Sequence, residues 1–116
     1  MRENEPLYVI SVAARLLQLH PQTLRKYERV GFVVPSRTQG NLRLYSGDDI
    51  RRLSQVKRLV DDRGVNLAGV NIALEITARI RLMQRQLRDG RLSDPQSVSQ
   101  ALDDMLLLLD ADPSDE

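Results

Sequence analysis

The sequence predicts a mainly α-helical chain that carries one short β-hairpin between its second and third helices. Aromatic residues make up only 3% of the chain, so the core is expected to be aliphatic. The hairpin is indicated by a segment of alternating apolar and polar residues that is punctuated by Pro35 and Gly40. The helices are indicated by apolar residues at helical spacing, most clearly in the run Ala73, Ile76, Ile80, Met83 and Leu87.

The first helix is predicted over Val12–Gln18. Ser11 is a suitable N-cap because its hydroxyl can accept a hydrogen bond from the first turn. Spacing near 3.6 residues places three apolar side chains on the inward face, namely Val12, Leu16 and Leu19.

The second helix is predicted to begin at Pro21 and to end near Gly31. Proline suits the first helical position because its missing N–H has no partner there. His20 is a poorer cap than serine, so packing is expected to hold the turn. Leu24 is the expected inward anchor, and four polar side chains are left to face outward: Gln22, Arg25, Lys26 and Arg29.

The hairpin is predicted over Phe32–Tyr45, a segment called the wing below. Val33 and Val34 are expected to begin its first strand, and Gly40-Asn41 is expected to supply the turn. The return strand is expected over Leu42–Tyr45.

A third helix is predicted from a capping-box-like start, Ser46-Gly47-Asp48-Asp49, to about Asp62. Its expected buried stripe consists of Ile50, Leu53, Val56, Leu59 and Val60. Four basic side chains are expected to point mostly into solvent: Arg51, Arg52, Lys57 and Arg58.

A fourth helix is predicted to continue to Arg88, with Asn66 as its cap. Its apolar run has the spacing of a coiled-coil seam, although the run lasts only about two heptads. A last helix over Gln96–Leu109 has a wide apolar face that needs burial. This face either packs back on the same chain or contacts a protein partner through Met105–Leu109.

The two halves of the chain carry opposite charge. Residues 1–63 have a net charge of +5 and residues 64–116 a net charge of −4, although the whole chain is at +1. A basic first half and an acidic second half suggest that the two parts meet different partners.

Several function classes are disfavoured by the composition. The chain has no cysteine and a single histidine, so neither a cysteine-based metal site nor a cofactor is expected. The paired acids lack an accompanying nucleophile and base, and no enzyme is expected. No apolar run reaches the ~18 residues that span a bilayer, and no secretory segment begins the chain, so a cytoplasmic, nucleoid-associated protein is expected.

The basic helix followed by a basic hairpin predicts a two-part contact with duplex DNA. Side chains near the start of such a helix can read base edges in the major groove, and the candidates are Gln22, Arg25 and Lys26. Candidates for the DNA backbone are Thr23, Tyr27, Arg37, Thr38, Arg43 and Tyr45. Two alternatives stay open. Tyr27 could pack as a half-buried ring on the wing, and Arg43 could pair with Asp48 or Asp49.

Three blocks resemble, in order, the DNA-binding head of the MerR family of bacterial transcription regulators. They are Thr23–Glu28, Gly31–Pro35, and Arg43–Ser46 with the preceding Arg37-Thr38. Within that family the chain looks most like the HspR-type heat-shock repressors, through residues 8–14, 20–25 and 64–70. Asn41-Leu42 departs from the Gly-Tyr-Arg run that is common in relatives.

The resemblance implies a winged helix-turn-helix head at residues 1–66 and a dimerisation coil at 67–88. Beyond the resemblance, the residues themselves predict a linker and apolar helix at 89–110 and a disordered acidic tail at 111–116. The implied protein is a homodimeric repressor that binds an inverted repeat at heat-shock or chaperone genes, with a DnaK-class chaperone as co-repressor. The remaining third of the chain is too short for a ligand domain, so the signal is expected to come from a protein partner, from temperature or from concentration.

Two other readings stay open. A nitrogen-regulator-like member of the same family would share the head and answer to a metabolic enzyme. An excisionase-like factor that bends DNA would share the winged head and bind a lone half-site as a monomer.

Overall fold

The computed structural model describes residues 4–114, and the chain forms two compact units in it. The first unit extends to Asn66 and the second begins at Leu67. The mainly helical fold with a small antiparallel sheet is the predicted class. None of the described helices is both long enough and apolar enough to cross a bilayer.

The described part of the first unit contains three short strands and three helices, in the order strand, helix, helix, strand, strand, helix. Three strands form one sheet: β1 (Pro6–Val9), β2 (Ser36–Arg37) and β3 (Arg43–Ser46). Three helices surround it: α1 (Ile10–Leu17), α2 (Pro21–Arg29) and α3 (Gly47–Lys57), which continues as a π-helical segment over Arg58–Asp62.

The sheet has the order β1-β3-β2, with both pairings antiparallel. The predicted hairpin corresponds to β2 and β3, whereas β1 was not predicted. β1 places Tyr8 opposite Tyr45 and Val9 opposite Leu44, so β3 is the central strand. Val33 and Val34 are not part of a strand as predicted. Phe32 and Val33 are buried in the core, and pairing begins only after Pro35.

Helix α1 begins two residues earlier than predicted, directly after β1. Its N-cap is Val9, which makes no side-chain capping bond, and Ser11 lies inside the first turn. The predicted inward face was also wrong, because Leu16 is 55% exposed. The buried side chains are instead Ala13, Ala14 and Leu17. One residue turns a helix by about 100°, so a shifted register moves a different stripe into the core.

Helix α3 begins with the predicted capping box. The Asp49 N–H donates to Ser46 Oγ, and the Ser46 N–H donates to Asp49 Oδ2, both at 3.0 Å. Leu53 and Val56 are fully buried, whereas Ile50, Leu59 and Val60 are only half-buried. The π-helical segment explains part of this difference, because its wider turns rotate residues 59 and 60 out of the α-helical stripe.

The second unit contains α4 (Leu67–Arg88) and α5 (Pro95–Leu108), which pack on each other. The end of α4 at Arg88 agrees with the prediction. The carboxylate of Asp94 caps α5, since it accepts the Ser97 N–H at 2.8 Å. Residues 111–114 form neither helix nor strand, and the rest of the predicted disordered tail lies outside the described residues.

Tyr45 lies on the central strand with its side chain fully buried. Its hydroxyl has no hydrogen-bond partner among the described residues. Burial raises the pKa of Tyr45 above the ordinary value of 10.0, and the negative charge of Glu28 acts in the same direction. Ionisation of Tyr45 is therefore resisted in the folded protein.

We predict that Tyr45→Phe makes the protein less sensitive to alkaline pH. The unfolded tyrosine ionises near pH 10 while the folded one stays neutral, so wild-type stability should fall as pH rises through that region. At neutral pH the variant should match or exceed wild type by up to ~1 kcal/mol, because an unsatisfied hydroxyl leaves the core. Urea denaturation at pH 7 and at pH 10 to 11 measures both effects.

The matched control is Tyr8→Phe, at the half-exposed tyrosine opposite Tyr45 in the sheet. If the alkaline loss of stability is the same in wild type and Tyr45→Phe, the buried phenol does not cause it.

Candidate nucleic-acid interface

Helix α2 separates its apolar and polar residues between two faces. Leu24 and Tyr27 are buried, and they anchor the helix to the core of the first unit. Gln22 and Lys26 are exposed, and Arg25 is half-exposed on the same outward side. Residues three and four positions apart share one helical face, so the three candidate base-reading side chains form one polar surface.

The start of α2 is fixed by a side-chain cap that the sequence did not predict. His20 Nδ1 accepts the backbone N–H of Gln22 at 3.0 Å, and Pro21 occupies the first helical position. The expectation that packing alone holds this turn is therefore corrected. The cap fixes the backbone next to Gln22, the first of the candidate base-reading residues.

The tip of the wing is closed by hydrogen bonds that centre on Thr38. Its Oγ1 accepts the N–H of Leu42 at 3.1 Å, and its own N–H donates to the Leu42 carbonyl at 2.9 Å. Asn41 adopts the left-handed conformation at φ 67°, which asparagine tolerates better than most residues. Leu42 stands 60% exposed at this tip.

Glu28 joins α2 to the wing through two arginines. Its carboxylate accepts Arg43 Nε at 2.9 Å and Arg37 Nη2 at 3.2 Å. The hydrogen bond from Arg43 to Glu28 raises the pKa of the Arg43 guanidinium, which stays charged. All three side chains are partly exposed, so each ion pair alone contributes little, roughly 0–1 kcal/mol. Their shared carboxylate nevertheless fixes the spacing between helix and wing.

The predicted alternative partners of Arg43 are engaged elsewhere. Asp49 belongs to the capping box, and Asp48 pairs with Arg51. Arg43 does hold the wing in place, as that alternative proposed, but it does so through the recognition helix α2.

The two candidate tyrosines are both buried. Tyr45 is inaccessible, so its predicted contact with the DNA backbone is corrected. Tyr27 is 5% exposed, and its ring lies 5.7 Å from that of Phe32, which favours the packing alternative. Burial, and secondarily the charge of Asp61, raises the pKa of Tyr27. Only its hydroxyl end remains a candidate for a phosphate.

Two basic residues of α3 donate hydrogen bonds to backbone carbonyls of the first unit, although they were expected to point mostly into solvent. Arg52 Nε donates to the carbonyl of Phe32. Lys57 Nζ donates to the carbonyls of Leu17 at 2.9 Å and Gln18 at 3.4 Å. These contacts tie α3 to the start of the wing and to the end of α1.

Glu28 is the site residue that sequence reasoning missed. It closes the block Thr23–Glu28, but its two partners lie nine and fifteen residues further along the chain. No local spacing predicts such a pairing. An acid among the basic residues of α2 was the available signal, because an uncompensated carboxylate would repel DNA.

Other candidate sites are weak within residues 4–114. That part of the chain contains no group of three or more potential metal-ligating side chains. A surface cavity of about 310 Å³ is lined by Gln55, Arg58, Leu59, Asp62 and Arg63. None of these residues belongs to α2 or the wing.

Comparison with known proteins agrees with this geometry. Residues 8–76 match the family described as MerR HTH family regulatory protein, and this range runs from Tyr8 in β1 through the rest of the first unit into the start of α4. The putative heat shock protein HspR of Streptomyces coelicolor is 50% identical over 84 residues, or 72% of this chain and 56% of the relative.

Two further relatives share the head. The HTH-type transcriptional regulator GlnR of Bacillus cereus is 40% identical over 73 residues, or 63% of this chain and 56% of the relative. MlrA of Escherichia coli, also an HTH-type transcriptional regulator, is 39% identical over 69 residues, which is 59% of this chain and 28% of the relative. The chain thus spans about half the length of the first two relatives, and it belongs to the MerR family of DNA-binding transcription regulators.

Proposed function

We propose that the chain is a sequence-specific repressor of heat-shock or chaperone genes that binds an inverted repeat as a homodimer. The observation that carries the proposal is the polar face of α2 joined to a basic wing through Glu28. The 50% identity to a heat shock protein, HspR, favours the heat-shock branch of the family.

The proposed division of contacts follows exposure. Gln22, Arg25 and Lys26 read base edges, because they lie on the outward face near the start of α2. Thr23, Arg37 and Thr38 contact the backbone, together with the hydroxyl of Tyr27. Arginine contacts guanine and glutamine contacts adenine in a bidentate manner, each contributing ~1–3 kcal/mol of discrimination.

We predict that Arg25→Ala relaxes specificity at one base pair of each half-site. Affinity for the operator should fall by ~1–3 kcal/mol, and affinity for random duplex should fall much less. Anisotropy titrations on both DNAs at one fixed salt concentration measure the ratio. Arg29→Ala, at the exposed end of the same helix, is the charge-matched control. Equal losses on operator and random DNA would remove Arg25 from the base-reading set.

The proposal of a homodimer rests on the apolar side chains of α4, in the second unit. Five seam positions follow the coiled-coil spacing, and Ile80 and Leu87 are 44% and 53% exposed. The other three, Ala73, Ile76 and Met83, are half-buried. Exposed apolar side chains in register along a helix suit a second copy, which would bury them and place two heads on one duplex.

We predict that Ile80→Lys breaks the dimer. A charge in an apolar seam should raise the dimer dissociation constant more than about tenfold, which corresponds to ~1.4 kcal/mol. Ala78→Lys adds the same charge at an exposed position outside the seam and should leave the dimer intact. Sedimentation equilibrium of the full chain compares them, and a dimer that survives Ile80→Lys refutes this seam.

The proposed signal is a DnaK-class chaperone acting as co-repressor. Helix α5 has no buried residue, although it packs on α4, and it leaves three leucines exposed, Leu102, Leu106 and Leu107, followed by the exposed C-cap Leu109. This arrangement supports both alternatives for the helix. It packs back on α4 and still presents an apolar surface flanked by acids.

The test is an anisotropy titration on the promoter of the chaperone operon of the source organism, with and without purified chaperone at fixed salt. We predict tight binding that the chaperone strengthens, because the co-repressor would favour the DNA-bound form. Tight binding that the chaperone does not change, but a metabolic enzyme does, would favour the nitrogen-regulator-like alternative. Binding of a lone half-site by a monomer would favour the excisionase-like alternative.

A further inference from the structure

The two arginines that share Glu28 are held unequally. Arg43 Nε lies 2.9 and 3.3 Å from the two carboxylate oxygens. Arg37 Nη2 lies 3.2 and 3.5 Å from them. The side chain of Arg43 is 26% exposed and that of Arg37 is 38% exposed. Arg43 therefore makes the shorter and better covered of the two ion pairs.

The backbone positions of the two arginines differ in the same sense. Arg43 begins β3, the four-residue central strand, whose later residues also pair with β1, and its own register partner is Arg37. Arg37 lies on the two-residue edge strand β2, and its Nη1 also donates to the Asn41 carbonyl at 3.2 Å, near the wing tip. Arg37 Nη2 can therefore exchange Glu28 for another acceptor without disturbing the central strand, while Nη1 keeps its hydrogen bond within the wing.

The charges of the cluster leave one arginine available to a third group. Two guanidinium groups face one carboxylate, so the cluster has a net charge of +1. An incoming phosphate can replace the carboxylate for one arginine, because both anions match the guanidinium fork. Replacing the carboxylate by a phosphate costs less free energy for the arginine that is more exposed and makes the longer contacts, which is Arg37.

We propose that Glu28 is a positioning residue that keeps Arg43 in both the free and the DNA-bound protein and releases Arg37 to a DNA phosphate. This inference rests on the proposed backbone contact of the wing and assigns different roles to two residues that the sequence placed in one group. Arg43 sets the angle of the wing, and Arg37 makes the exchangeable contact.

The direct test follows the arginine Nε–Hε signals by nuclear magnetic resonance in the full wild-type chain, free and bound to a random-sequence duplex. The Arg43 signal should be protected from solvent exchange and keep its chemical shift in both states. The Arg37 signal should shift on DNA addition. A shift of Arg43 as large as that of Arg37, or no shift of Arg37, overturns the proposal.

The second test is the salt dependence of binding to the same duplex. Arg37→Gln should lower the log–log slope by about 0.9, the value for one lost phosphate contact, whereas Arg43→Gln should leave the slope unchanged. Arg79→Gln, exposed on α4, controls for the loss of one positive charge. Equal slope losses for the Arg37 and Arg43 variants would make both residues phosphate ligands and refute the division.

The role of Glu28 itself is tested with Glu28→Gln against Glu75→Gln, an exposed carboxylate on α4. Faster exchange of the Arg43 Nε–Hε proton in the first variant alone supports positioning. Unchanged exchange refutes it. These measurements use random DNA and no chaperone, so failure of the heat-shock proposal leaves them interpretable.

Discussion

The shared carboxylate of Glu28 sets the relation between the recognition helix and the wing. Without it, two positively charged side chains would lie close together at this junction and repel each other. The carboxylate compensates them while leaving the cluster with an excess positive charge that suits DNA. The core and the sheet of the first unit hold both sides of this junction in place. Leu24 and Tyr27 fix α2, and the three-stranded sheet fixes the strand that carries Arg43.

The net positive charge of the first unit overstates how many of its basic side chains are available to contact DNA. Arg52 and Lys57 donate to backbone carbonyls inside the unit, and Arg43 donates to Glu28. These cations satisfy polar groups that the chain would otherwise leave without partners. The basic side chains that remain on the outward side of α2 and near the wing tip are fewer than the net charge suggests.

The sequence predicted what depends on local chemistry. The Ser46–Asp49 capping box, Pro21 at the first position of α2, Leu24 in the core and the end of α4 are all found. Predictions failed where tertiary pairing decides. β1 has too few residues to be recognised alone, and its pairing with β3 moves the start of α1.

The site shows the same contrast between local and distant determinants. The outward face of α2 follows from helical periodicity, so the exposure of Gln22 and Lys26 could be read directly from the sequence. The burial of Tyr45 could not, because it depends on β1, α1 and α3 coming together around the central strand. The roles of the candidate residues toward DNA stay predictions.

The position of β1 has a consequence for protein engineering. The two strands of the wing are adjacent in the chain, yet β3 lies between β2 and β1, and β1 begins at Pro6, some thirty residues upstream of the hairpin. Transplanting residues 36–46 alone into another helix-turn-helix scaffold would leave one edge of β3 unpaired and Tyr45 without its cross-strand neighbour Tyr8. A functional graft must therefore carry two chain segments, and a fusion partner joined close to Pro6 would adjoin the sheet of the DNA-binding head.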